Sequence, residues 1–277
     1  MVEPVITFAR RRWRNGLIAV TAAVGLFAWH TAYDLTLYQP AFLTGWLLLA
    51  AIVLLTLYNG RKKLSMVPIG TAATWLQWHV YIGLLAVLIF AMHINWSIPN
   101  GILERFLALF FVAVAGSGIL GLYLSRRFAP MLTRRTEEVV LERIPQFIAD
   151  LRGQAEELVL ASAVETGSSS IADYYSNRLA DFFAGPRHMR LHLQGSGRAT
   201  FALMTDLDIM TRYLNDQEMV YADKLRQLVG RKDQLDYAYA LQTVLKAWLF
   251  VHLPATYGMI LLVLLHLLLV YAFGGAR

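Results

Sequence analysis

The chain contains no cysteine. That excludes disulfides, cysteine-ligated iron–sulfur clusters, thiolate zinc sites and covalent c-type haem attachment; any haem must be held without a covalent link, through histidine or methionine. Charge is scarce as well. Of 277 residues only 16% are charged against 57% hydrophobic, and the mean hydropathy of +0.48 is that of a membrane protein rather than a soluble domain. The net charge of +6 does not form a nucleic-acid stripe. Its basic residues cluster where apolar runs end, at Arg10-Arg11-Arg12, Arg61-Lys62-Lys63, Arg126-Arg127 and Arg134-Arg135, which is a topology signal and excludes nucleic acid as the expected partner. The basic start has no small-residue cleavage site, so the first apolar run reads as a retained span. Internal repeats are missing too.

Five apolar stretches remain, and they predict five transmembrane helices: about 16–31, 41–58, 74–95, 103–124 and 243–273. Pro40, Asn59-Gly60, Pro68 with Gly70, Ser97-Ile98-Pro99-Asn100-Gly101 and Gly274-Gly275 punctuate them. The basic loops fall at the N-terminus, after span two and after span four, all on one face. The positive-inside rule therefore predicts N-terminus in and C-terminus out, in a cytoplasmic membrane of bacterial type. Spans three and five then run in the same direction.

The polar stretch 126–242 holds 15 Lys/Arg and 16 Asp/Glu and predicts a mainly helical cytoplasmic insert. Pro145 is expected to break or kink its first helix, residues 187–201 to form a hairpin or an irregular loop, and a helical pattern from Asp206 to run into span five with a break near Gly230. The predicted domains are thus 1–125, membrane helices one to four; 126–242, the insert; and 243–277, span five, which completes the bundle.

Inside the spans sit two histidine pairs with one spacing, His79 and His93 in span three, His252 and His266 in span five. Fourteen residues advance about 21 Å along a helix and equal two heptads, so both members of a pair face one seam. An ionisable side chain within a span is a functional candidate by default. Parallel helices pair His79 with His252 toward the cytoplasmic face and His93 with His266 toward the outer face. Two opposed imidazoles per level suit the two axial positions of a haem iron better than zinc, which wants three or four converging ligands. The expectation is two non-covalent b-type haems, with these four histidines as the iron ligands.

Lesser candidates surround them. Gly83, Gly258 and the glycines 116, 118 and 121 either leave room for a flat macrocycle or serve ordinary small-residue packing. Pro254 either re-aims His252 or is a tolerated membrane proline. Lys246 and Arg126 on the cytoplasmic side, and Arg105 and Trp96 on the outer side, either meet haem propionates or snorkel to headgroups. His30 either handles quinol protons or is an interfacial polar residue. His188 and His192 share a metal only if helical, and otherwise lie on a solvated face.

With these residues in view, the chain resembles the transmembrane dihaem cytochrome b group, in which two parallel helices each carry His-x13-His. Val251-His252-Leu253-Pro254 followed by Leu265-His266-Leu267-Leu268-Leu269 is similar to the fourth helix of quinol-oxidising cytochromes b. The placement in spans three and five resembles the ferric reductase and NADPH oxidase membrane domain. The resemblance implies an all-α integral membrane protein whose four-helix bundle binds haem. It implies an electron-transfer subunit of an oxidoreductase complex, working with quinone or quinol, a cytochrome, an iron–sulfur subunit or a flavoprotein, in contact with membrane lipid. No Pro-Glu-Trp-Tyr quinol motif and no Gly-x-Gly-x-x-Gly occur, so an NADPH-oxidising reductase would need a second chain. A ferric-reductase-like chain with a separate flavoprotein, or a non-redox anchor or transporter, are the alternatives.

Overall fold

The computed structural model describes residues 4–34, 40–63, 71–135 and 139–273. Among them every regular element is helical and none is a strand. The expected turn at 38–39, most of the loop before Thr71 and the stop at Gly274-Gly275 lie outside the described residues.

Five helices are long and apolar enough to cross a membrane: α1 (Pro4–Asp34), α2 (Pro40–Lys63), α3 (Ala72–His93), α4 (Ile102–Arg135) and α10 (Asp216–Phe273). Between α4 and α10 come a 3-10 turn (Leu141–Arg143), α5 (Ile144–Thr166), α6 (Ser170–Tyr174), a π-helical turn (Tyr175–Leu179), α7 (Ala180–Phe183), α8 (Met189–Leu193) and α9 (Arg198–Thr211). The chain divides into two compact units, residues 1–122 with 250–277, and residues 123–249.

The first unit is the span bundle. Leu17, Val20, Val24, Val53, Leu54, Leu109, Val112, Leu261 and Leu268 are exposed on its outside, as lipid-facing side chains must be when a helix is apolar all round. Trp13, Trp78 and Trp96 are exposed near helix ends, where an indole sits between headgroup and hydrocarbon. Its core joins four helices: Leu48, Ala51 and Ile52 of α2, Ala86 and Ile89 of α3, Phe111 of α4 and Met259 of α10. Phe90 stacks on Phe111 with ring centres 4.1 Å apart. Thr71 caps α3, its hydroxyl accepting from the Thr74 amide. Two left-handed residues, Asn95 and Trp96, close α3, the Trp96 amide bonding back to Ala91 O at 2.9 Å. His93 is therefore the last residue of α3.

The second unit is a helical lobe with its own core. Leu151, Ala155 and Val159 of α5 meet Ile171, Leu179, Phe182 and Phe183, and both sets pack on Ala222, Leu225 and Val229 of α10. Three local expectations change here. Pro145 starts α5 at its first turn instead of kinking it, because a residue there has no amide bond to lose. Residues 189–193 and 198–211 are helical, neither hairpin nor irregular loop. The break expected at Gly230 falls instead between Thr211 and Asp216, and α10 runs through both Gly230 and Pro254. A glycine costs a helix interior only about 1 kcal/mol relative to alanine, and the buried residues on either side of it, Val229 and Lys232, hold the helix.

The start of α10 is fixed by a reciprocal cap. Asn215 Oδ1 accepts from the Glu218 amide at 2.8 Å, and Glu218 Oε2 accepts from the Asn215 amide at 2.9 Å.

Candidate functional site: two histidine levels in the span bundle

The four span histidines gather at two levels. At one, the rings of His93 and His266 lie 6.5 Å apart, centre to centre, with their planes 86° from parallel. At the other, His252 lies within electrostatic reach of His79. First histidine meets first and second meets second, so α3 and α10 run parallel.

Three of the four rings are hydrogen-bonded through Nδ1. His93 Nδ1 lies 2.9 Å from Ala41 O, and His79 Nδ1 lies 3.2 Å from Leu55 O. A carbonyl can only accept, so both rings carry their proton on Nδ1. His252 Nδ1 lies 2.7 Å from Ser117 Oγ. That hydroxyl donates its one hydrogen to Val114 O at 2.8 Å, so it accepts from His252. His266 Nδ1 lies 4.0 Å from a carboxylate oxygen of Glu104. A histidine whose Nδ1–H is engaged by an acceptor presents the lone pair of Nε2, which is how protein scaffolds orient a metal-ligating imidazole.

The acceptors repeat the spacing of the histidines. Ala41 and Leu55 are fourteen residues apart on α2, and Glu104 and Ser117 thirteen apart on α4. Because α2 is antiparallel to α3, and α4 to α10, all four helices contribute at both levels. Ala41, His93, Glu104 and His266 form one level; Leu55, His79, Ser117 and His252 form the other. The apolar layer of Ile52, Ala86, Ile89, Phe111 and Met259 packs between them.

Two glycines bring helices close. A methyl on Gly45 would stand 3.0 Å from His93 Cε1, and one on Gly118 3.7 Å from His252 Cε1. Thr44, almost wholly buried, adds its hydroxyl 3.4 Å from His93 Nδ1. Tyr58 lies beside His79, ring centres 5.1 Å apart. Phe42, Trp46 and Tyr271 form a mutual aromatic cluster joining α2 to α10 at the His93 end.

The other candidates are placed as follows. Gly258 faces Phe110, whose ring a methyl would approach to 2.9 Å, and Gly83 is in ordinary contact range of Leu55. Arg105 donates to Pro99 O at 3.1 Å and to Asn100 O at 2.8 Å. Lys246 pairs with Glu142 in the helical lobe, and that bond holds the Glu142 carboxyl below its usual range. His30 is buried, its Nε2 without a hydrogen-bond partner among the described residues. The register Asn15–Gln77, a 3.3 Å side-chain bond between parallel α1 and α3, sets His30 level with Met92. His188 precedes α8 in a left-handed conformation, so it and His192 are not successive turns of one helix. His192 is buried, 3.6 Å from Asp233.

Sequence reasoning passed over Ala41, Thr44, Gly45, Leu55 and Ser117, and named Glu104 only as loop charge. Two of the acceptors are main-chain carbonyls, which carry no side-chain signature. Gly116-Ser117-Gly118 and Thr44-Gly45 were visible as small or polar breaks in apolar spans.

Among the described residues no three histidine or acidic side chains converge to hold a metal, so the donor sets here are pairs. No protein-family profile, curated protein or solved structure matches the chain.

Proposed function

We propose that the chain is a membrane-embedded dihaem b-type cytochrome subunit that passes electrons between the two faces of a membrane. The carrying observation is the two-level site: paired imidazoles at equal spacing on parallel helices, three of the four with Nδ1 hydrogen-bonded to an acceptor. Two imidazoles on opposite sides of one metal would have ring centres about 6.2–6.4 Å apart, taking about 2.0–2.1 Å for each metal–nitrogen bond and about 1.1 Å from nitrogen to ring centre. His93 and His266 stand at 6.5 Å. A pair at that separation fits a bis-imidazole haem.

Haem bound at each level would supply a one-electron couple, and with a histidine from each helix holding it the chemistry would be outer-sphere electron transfer. The chain's residues do the rest. His79, His252, His93 and His266 would hold the iron through Nε2. Leu55 O, Ser117 Oγ and Ala41 O fix the Nδ1–H tautomer and stop the rings from rotating. The apolar layer between the levels excludes water and keeps the two sites about 21 Å apart along the helix axis. Gly83 and Gly258 flank this layer, Lys246 is the cation on the inner side of span five, and Arg105 that on the outer side.

The positive-inside rule puts the N-terminus and the helical lobe in the cytoplasm, His79 and His252 at the inner level, and His93 and His266 at the outer level. A bacterial cytoplasmic membrane suits this charge pattern. The lobe is the natural docking surface for a redox partner, whether a cytochrome, an iron–sulfur subunit or a flavoprotein. Quinol is the donor class favoured at the outer level, where His30 offers a buried imidazole nitrogen with no hydrogen-bond partner among the described residues.

The test is a reduced-minus-oxidised spectrum of the purified protein. A b-type band reducible by quinol supports the reading. A band reducible only by NADPH with a flavoprotein shifts it to a ferric-reductase-like chain. The absence of any haem band overturns it in favour of a non-redox anchor or transporter.

A further inference from the structure

The two levels differ in one respect. His79, His93 and His252 direct Nδ1 at neutral acceptors, whereas His266 faces the carboxylate of Glu104 at 4.0 Å. Outside residues 126–242 the sequence holds three acidic residues, Glu3, Asp34 and Glu104, so a carboxylate beside one histidine is not a by-product of an acidic surface.

Glu104 is held in place by its own helix. It is the third residue of α4, and Gly101 immediately precedes that helix. This is the capping-box position, from which a glutamate folds back over the residue before the helix. Gly101 provides the space: a methyl there would overlap the Glu104 carboxylate. The helix dipole favours negative charge at this end. Arg105, the neighbouring cation, is turned to the carbonyls of Pro99 and Asn100 instead. The carboxylate thus lies folded over Gly101, 4.0 Å from His266 Nδ1.

We infer that Glu104 lowers the electron affinity of the outer site. The inference rests on the dihaem reading and deepens it by naming a residue that tunes one of the two sites. A fixed negative charge near an axial imidazole favours the more positive, oxidised iron, because the coulombic stabilisation is larger for the higher charge. The inner level, with a carbonyl and a hydroxyl in the same positions, lacks that charge. Glu104 acts here as a positioning and tuning residue and touches no substrate.

Redox titration of the two haem bands in wild type, Glu104→Gln, Glu104→Asp and Gly101→Ala tests this. The outer band is first identified as the one missing from His93→Ala. Glu104→Gln is expected to shift the outer potential upward and leave the inner one unchanged. Gly101→Ala, which displaces the carboxylate without removing it, shifts the outer potential in the same direction, and Glu104→Asp stays closer to wild type. No shift in either Glu104→Gln or Gly101→Ala overturns the inference, as does an equal shift of both bands. A wild-type protein with no haem overturns the dihaem reading itself, a different result from two haems whose potentials ignore Glu104.

Discussion

Lys232 and Asp236 are wholly buried in the helical lobe, paired at 2.5 Å across one turn of α10. Lys232 also donates to Gly185 O at 2.8 Å and lies over the Phe182 ring. Burial pushes Asp236 up to about 6 and Lys232 below its usual value, the partner opposing each shift without cancelling it. Removing one partner strands the other, so Lys232→Met or Asp236→Leu alone should lower lobe stability by about 3–5 kcal/mol, whereas the double variant regains most of that loss. Denaturant unfolding followed by circular dichroism reads the difference; a double variant as unstable as either single would contradict it. Tyr174 offers a second residue-scale test. Burial first, and Asp206 second, raise its phenol to about 12, and its hydroxyl donates to Leu203 O. The folded value lies above the unfolded one. Its contribution is therefore complete below about pH 10 and disappears as pH rises through 12. The phenolate absorbance of the folded protein should show a late step that Tyr174→Phe lacks.

At the scale of the element, the sequence revealed periodicity and hid partners. Five apolar runs and two His-x13-His pairs are patterns in side chains, so the spans and the four histidines were legible. Charge at the loop ends made α3 and α10 parallel before any contact was known. The acceptors were less visible, because the Ala41 and Leu55 carbonyls belong to the main chain and only the register of α2 against α3 selects them. Pro145 and Gly230 were misread for a related reason: a proline at a helix start, or a glycine flanked by buried residues, is decided by tertiary context. Two helix-scale predictions follow from the geometry. Gly45→Val should crowd His93, whose Cε1 already stands 3.0 Å from where a Cβ would be, and lower haem occupancy at the outer level only, as read by the haem bands of the purified variant. Asn215→Ala removes one half of the cap on α10 and should cost about 1 kcal/mol in urea unfolding.

For the whole molecule, the span bundle and the helical lobe divide the work proposed here, the bundle holding two redox levels and the lobe facing partners. The lack of native cysteine makes their sidedness directly measurable. Ser168→Cys in the lobe should react with a membrane-impermeant maleimide only after the membrane is opened. Asn100→Cys, in the turn before α4, should react in intact cells. The reverse pattern would exchange the inner and outer levels while leaving the histidine pairing intact.

That pairing is the central claim, and haem content per chain in the four single His→Ala variants tests it most directly. Wild type should carry two haems. His93→Ala and His266→Ala should each lose the same haem, and His79→Ala and His252→Ala the other. Loss of different haems within either pair, or a wild-type chain without haem, would contradict the account.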